Sequence, residues 1–259
     1  MLISYRDNSM PKIDEELKTN IVTDSLEAIQ YVRSETDVVI LPYSTGKDSL
    51  ATWLRLLEVT DFTIVPVYYY QVPDLDFVNR YLDDAEDFFN TRILRVPHPR
   101  LTWWLQYGTH MPPVMARQMI EFDYPYISYE DMTDFLIEEY GLPEKTWEAV
   151  GTTQNDSAQR RLTFRKYGLL RKFSFKFYPI GDFTKTQVME LIQRNKFELP
   201  VDYRIWGRSF DGVDIFYLDG VKEHFPKDYQ KILDWIPLIR LEHNRYEIWK
   251  RRTEEAPNN

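Results

Sequence analysis

The chain has 259 residues and no cysteine, which excludes disulfides, cysteine-ligated zinc, iron–sulfur clusters and thiolate chemistry. Its 32 Lys and Arg against 41 Asp and Glu give a net charge of −9, which argues against general nucleic-acid binding by bulk charge. With 43% hydrophobic and 15% aromatic residues it has the composition of a folded protein with a substantial core.

No apolar run approaches the roughly 18 residues that cross a bilayer. The N-terminal stretch MLISYRDNSMPKIDEELK carries acids and no apolar signal-peptide segment. The expectation is therefore a cytoplasmic protein with no membrane partner. The four histidines (His98, His110, His224, His243) show no HxxxH spacing, so no transition-metal site is expected.

In chain order, Asp14–Ser34 reads as an amphipathic helix with Leu17, Ile21, Leu26, Ile29 and Val32 on one face. Val38–Tyr43 is a short β-branched run, as in a buried parallel strand. Asp48–Val59 has helical spacing, Phe62–Tyr70 reads as a second strand, Asp74–Asn90 as an acidic-faced helix, and Arg92–Val96 as a third strand. Leu101–Tyr140 reads as mostly helical, interrupted by Pro112, Pro113 and Pro125. Trp147–Thr152 is a further strand, Phe177–Ile180 a short strand or loop, and Thr184–Asn195 a helix with Thr184 as N-cap. Lys227–Arg252 reads as helical and aromatic-rich, able to pack on the core or to meet a second copy or a partner subunit. Strands alternating with helices predict an α/β fold with a parallel sheet and helices on both faces. The expected division is an N-terminal helical segment 1–36, an α/β domain 37–212 and a helical C-terminal appendage 213–259.

Charge is distributed unevenly. Glu121 to Glu148 holds nine acids and one lysine, whereas Gln159 to Lys176 holds seven bases and no acid. A local anion site in an acidic protein is the natural expectation. Its strongest marker is Tyr43-Ser44-Thr45-Gly46-Lys47-Asp48-Ser49, between a predicted strand and a predicted helix. Helix N-termini present free N–H groups and partial positive charge to anions. Ser44, Thr45, Gly46 and Ser49 are small enough for close approach, and Lys47 adds a mobile charge. The segment is not a Walker A loop, because Leu41 stands where that motif needs glycine and Asp48 follows the lysine.

The string Ser44-Thr45-Gly46-Lys47-Asp48-Ser49 matches SxGxDS, the PP-loop of the N-type ATP pyrophosphatases. The chain resembles the phosphoadenosine-phosphosulfate (PAPS) reductase group of that superfamily. Further matches are Gly151, Asp156, Ser157, Arg160 and Arg161, then Tyr178–Val188, then Leu199-Pro200-Val201-Asp202-Tyr203. The family's early arginine is missing near Thr153, Phe183 replaces a tryptophan, and Gln187 replaces an aspartate. The usual acid–Thr–Gly turn after the second strand is rewritten as Gln71-Val72-Pro73-Asp74. The resemblance spans about Asp37 to Gly212 and implies an adenine nucleotide alpha hydrolase-like fold.

It also implies ATP and Mg²⁺ as ligands. Ser44, Thr45, Gly46, Lys47, Asp48, Ser49, Gly151 and Arg165 would bind the nucleotide. Lys47, Asp48, Arg160 and Arg161 would act in the chemistry, and Asp48 would meet Mg²⁺. Arg160, Arg161 and Arg165 also suit an ordinary solvated helix face. Asp74 and Asp76 read as loop acids, Asp74 otherwise as a Mg²⁺ or ribose ligand; His98 reads as structural rather than catalytic, Trp103–Trp104 as core or lid packing rather than base stacking, and Arg208 as an anion ligand or an exposed side chain.

The reductases of that group attack sulfur with a C-terminal cysteine, which this chain lacks. The expectation is therefore ATP cleavage between the α and β phosphates: adenylyl transfer to an unidentified acceptor with pyrophosphate release. The alternatives are an altered nucleotide-binding or scaffold protein, or a component of a nucleic-acid modification system that needs a partner to bind nucleic acid.

Overall fold

The computed structural model describes residues 21–101 and 127–255. Its first helix, α1 (Ser25–Glu35), starts where the Asp24 carboxylate accepts the Glu27 N–H at 2.9 Å. That cap sets the start eleven residues after Asp14. Residues 14–20 lie outside the described residues, and 21–24 are not helical. The buried stripe is Ser25, Ala28, Ile29 and Val32, with Leu26 turned outward.

β1 (Val38–Pro42), α2 (Lys47–Val59), β2 (Thr63–Tyr70), α3 (Asp76–Phe89) and β3 (Leu94–Pro97) follow close to their predicted places. α3 is trimmed at both ends by left-handed residues, Asp74 (φ 57°) and Asn90 (φ 48°). Most of the predicted helical stretch from 101 to 140, with Trp103 and Trp104, lies outside the described residues. Its described end is α4 (Tyr129–Glu139), opened by a reciprocal Ser128–Asp131 capping box.

β4 is only Trp147–Ala149, shorter than the predicted Trp147–Thr152, because the chain turns at Gly151 against α2. α5 (Ala158–Tyr167) leads into a hairpin not anticipated from the sequence. There β5 (Leu170–Arg171) and β6 (Lys176–Phe177) pair antiparallel across a short 3₁₀ turn. α6 (Lys185–Asn195) begins at Thr184 as predicted, with a Thr184–Gln187 capping box. α7 (Asp202–Trp206) and α8 (Ile215–His224) follow.

The C-terminal stretch read as one helix is two, α9 (Pro226–Trp235) and α10 (Ile239–Glu255). Pro237 has no N–H to donate and biases Ile236 away from helix, so the break falls there.

The six strands are ordered β3-β2-β1-β4-β6-β5, all parallel except β5. The chain builds outward from β1 to β3, then returns to place β4 on the other side of β1. The crevice between the C-terminal ends of β1 and β4 is thus the switch point of the sheet, where ligands bind in open α/β folds. Alternation along the strands divides the core. Val39, Leu41 and Ile64 face the main cluster with α1, α2, α3 and α6, while Ile40, Val67 and Val96 face Leu136 of α4. Helices therefore lie on both faces.

The C-terminal helices belong to the main core: Tyr217, Leu218, Val221, Ile232, Leu233 and Ile239 are all part of it. The buried Asp228 of α9 also caps α3, accepting the N–H groups of Asp76 (2.7 Å) and Phe77 (3.1 Å). No described helix is long and apolar enough to cross a membrane.

Candidate functional site at the switch point

The segment Ser44–Ser49 runs from the end of β1 into the first turn of α2. Gly46 is the N-cap and offers no side chain to the free N–H groups. Thr45 is buried with φ 61°, a left-handed conformation that is costly for a β-branched residue. Strain of this kind persists where the surroundings enforce it, which is characteristic of functional sites. The Ser49 hydroxyl does the enforcing. It donates to the Gly46 carbonyl (3.0 Å) and accepts the Ser44 N–H (3.2 Å). The Ser44 hydroxyl lies 3.2 Å from it and is open to solvent.

Two residues without a functional reading in the sequence complete the cradle. The Tyr203 hydroxyl accepts the Lys47 N–H at 2.8 Å, and Ser209 Oγ stands 3.1 Å from where a Cβ on Gly46 would lie. Both arrive on the segment 202–210. The buried Asp202 carboxylate folds that segment by accepting the Phe210 N–H at 2.8 Å. Burial raises the pKa of Asp202, and burial also raises that of Tyr203, which stays a neutral phenol. The signal available in the sequence was the Leu199–Tyr203 string, with no role attached to its tyrosine.

Gly151 is placed by packing. A Cβ there would lie 3.0 Å from Ser49 N and Cα, and 3.1 Å from the Asp48 carbonyl carbon. The end of β4 therefore abuts the first turn of α2. Lys47 and Asp48 face each other, with Nζ 2.6 Å from both carboxylate oxygens.

The arginines are not joined to this cradle among the described residues. Arg160 pairs with Asp156 at 2.6 Å, and Arg161 and Arg165 lie exposed on α5, Arg165 in its last turn. Asp156 braces the preceding turn by accepting the Thr153 N–H (3.0 Å) and hydroxyl (3.1 Å). Burial works to raise its pKa, but these bonds and Arg160 outweigh it and hold the carboxyl low.

The rest of the basic run is largely structural. Arg171 lies over the rings of Tyr178, Tyr167 and Phe164, and Lys172 over Tyr31. Lys176 pairs with Glu130 at 2.8 Å and approaches Glu148 at 3.9 Å, so the acid-rich and base-rich stretches meet there. Asp76 is held by Lys231 at 2.6 Å, the same ammonium reaches the Asp74 carbonyl, and Arg208 is exposed near Asp211.

Beside Ser44 opens a cavity of about 190 Å³, with walls that include Tyr68, Tyr69, His98, Tyr129 and Phe210. Its geometry fixes a proton arrangement. His98 Nδ1 accepts the Arg100 N–H at 2.9 Å, so Nε2 carries the ring proton and donates it to the Tyr129 hydroxyl at 2.9 Å. The Tyr129 proton is then directed elsewhere. Burial and, secondarily, the nearby Arg100 charge lower the His98 pKa to about 4. Burial raises that of Tyr129. The sequence reading treated His98 as structural, and the structure adds its place in this wall.

One cluster lies apart. His243 and Glu247, four residues apart on α10, meet Asp219 of α8 with ligand atoms within 4.8 Å of one another. The HxxxH criterion overlooks this HxxxE spacing. The carboxylates are engaged by cations, Lys222 on Glu247 at 2.6 Å and Lys250 near Asp219 at 3.9 Å, and Tyr229 holds His243 Nδ1 at 2.7 Å. The cluster reads as an ion network joining three helices.

Neither a protein-family model nor a curated protein matches the chain.

Proposed function

We propose that the chain is a PP-loop protein of the PAPS reductase-like type that binds ATP and cleaves it between the α and β phosphates. The observation that carries this reading is the STGKDS segment at the β1–β4 switch point, with Thr45 strained and Gly46 ringed by the hydroxyls of Ser44, Ser209 and Tyr203. A Cβ on Gly46 would fill the space a phosphate oxygen needs, so the residues present fit a polyphosphate.

In this reading an acceptor oxygen attacks the α-phosphorus, the α–β bridging bond breaks, and pyrophosphate leaves. The α2 N–H groups, Ser44 and Lys47 take up the charge that builds on the departing oxygens. Mg²⁺ would supply charge neutralisation across the phosphates, with Asp48 the carboxylate available in the loop. The fit requires Lys47 to leave Asp48 for the phosphates, since the two occupy each other. Arg160 and Arg161 would meet the acceptor or the α-phosphate only by swinging from the solvent face of α5. The work would be cytoplasmic.

The test is pyrophosphate release from ATP and Mg²⁺, with nucleotide binding measured in parallel. Lys47→Ala is expected to lower turnover by about 10²-fold or more while the protein stays folded. Absence of both ATP binding and pyrophosphate release in the native protein overturns the reading. A second reading, nucleotide binding without turnover, draws on the same Lys47–Asp48 pair and on the α5 arginines that do not join the cradle. It is favoured if ATP binds and Lys47→Ala changes nothing downstream.

A further inference from the structure

A second, larger cavity of about 740 Å³ lies between α8, α10 and the turn 211–215. That size is ordinary for a small-molecule site. It shares Gln71 and Asp211 with the smaller cavity beside Ser44. The two are therefore neighbours. Gln71 lies flat against Gly212 (φ 110°), where a Cβ would sit 2.2 Å from Gln71 Oε1, and its amide donates to the Asp211 carbonyl at 3.3 Å.

Its chemistry is specific. Val213, Ile215, Leu218 and Ile239 give an apolar floor, and the rings of Tyr246 and Trp249 stack at 5.8 Å on its rim. The charges around it are mostly satisfied by one another. Arg245 pairs with Glu242 at 2.5 Å, Asp214 accepts the Phe216 N–H at 2.9 Å as the α8 cap, and Asp211 lies 3.9 Å from Arg208. Arg100 differs. Its backbone is tied to His98, but its guanidinium has no carboxylate partner among the described residues. A guanidinium without a carboxylate partner among the described residues, on an aromatic, apolar cavity, suits a planar anion, since the Arg fork binds a carboxylate through two parallel bonds.

We propose that this cavity binds a compact aromatic carboxylate, with Arg100 on the carboxylate and the Tyr246–Trp249 stack on the ring, and that this molecule is the acceptor: a carboxylate oxygen bonds to the α-phosphorus as the α–β bridging bond breaks and pyrophosphate leaves. The binding site stands on its own geometry; the role of acceptor rests on the ATP-cleaving reading. The probe is naphthalene-2-carboxylate, with naphthalene-2-carboxamide as its uncharged twin and inorganic sulfate as a bare anion, each titrated calorimetrically without ATP. The acid is expected to bind in preference to amide and sulfate. Arg100→Gln is expected to weaken the acid by about tenfold or more and leave the amide unchanged. Ile215→Trp, which narrows the cavity from its apolar side, is expected to weaken both.

No saturable binding of the acid, equal loss of acid and amide in Arg100→Gln, or sulfate binding as tightly as the acid overturns the site. Thermal melts show whether each variant is folded, and Ile215→Trp decides the matter if Arg100→Gln is not. Because these titrations contain no ATP, their outcome is independent of the Lys47 experiment. The acceptor role is read separately: saturating acid changes the rate of pyrophosphate release in the native protein and not in Arg100→Gln. No change in the native protein overturns that role while leaving ATP cleavage intact.

Discussion

Folding takes the His98 imidazole out of water and holds its pKa at about 4, against 6.5 for the free side chain. Between those values the unfolded chain takes up a proton that the folded one refuses. Stability therefore falls as pH drops from about 6.5 toward 4, and it is fully present above 6.5. Thermal melts across that range are expected to show the loss in the native protein and a flatter profile in His98→Asn. A profile unchanged by the substitution would mean that other groups set the acid limit. Little of this was visible beforehand. The histidine stood in the sequence between two prolines, but its partners Arg100 and Tyr129 are 2 and 31 residues away, and only the fold brings the second to it. The loop residues Ser44 to Ser49 were legible because their chemistry is local. Tyr203 and Ser209 were not, because their contact with that loop crosses more than 150 residues.

At the scale of elements, the contact between β4 and α2 decides whether the loop keeps its shape. A methyl group on Gly151 would press on the backbone of Ser49, which has no flexible end to yield. Gly151→Ala is expected to destabilise the protein by about 1–3 kcal/mol, the usual cost of overpacking. It is also expected to weaken ATP binding, because Ser49, whose backbone it would press on, holds the loop through the Gly46 carbonyl and the Ser44 N–H. Chemical denaturation and nucleotide titration check the two halves. The helices and central strands were readable from period and caps: Thr184 and Asn195 bound α6 as expected. The β5–β6 hairpin was not, because two-residue strands carry no periodicity. The break at Pro237 was printed in the sequence, and the aromatic pattern running through it concealed the stop.

For the molecule as a whole, the helical pattern of the segment 213–259 is separable in the sequence, which leaves packing on the core or against another subunit equally open. Packing joins what the pattern separates. Tyr217, Val221 and Ile232 are fully buried in the same cluster as Val39 and Leu50. A chain ending at Gly212 is expected to lose cooperative unfolding, with the near-ultraviolet dichroism of the native protein absent. A sharp, native-like melt for that fragment would restore the separate-domain view. Charge behaves similarly at this scale. The opposed acidic and basic stretches, which suggest a local anion site, are partly spent on each other through Glu130 and Lys176; Arg171 and Lys172 lie over aromatic rings, and the other bases are spread over α5.

The cap that Asp228 places on α3 has a bearing on how the protein is made. Its partner N–H groups, at Asp76 and Phe77, leave the ribosome some 150 residues earlier. While the chain is still emerging, α3 has a start that nothing holds, and Leu75, its N-cap, has no side-chain oxygen to substitute. The first three strands can pair during synthesis, but the helix flanking them is secured only when α9 arrives. Synthesis must therefore reach α9 before the start of α3 is capped.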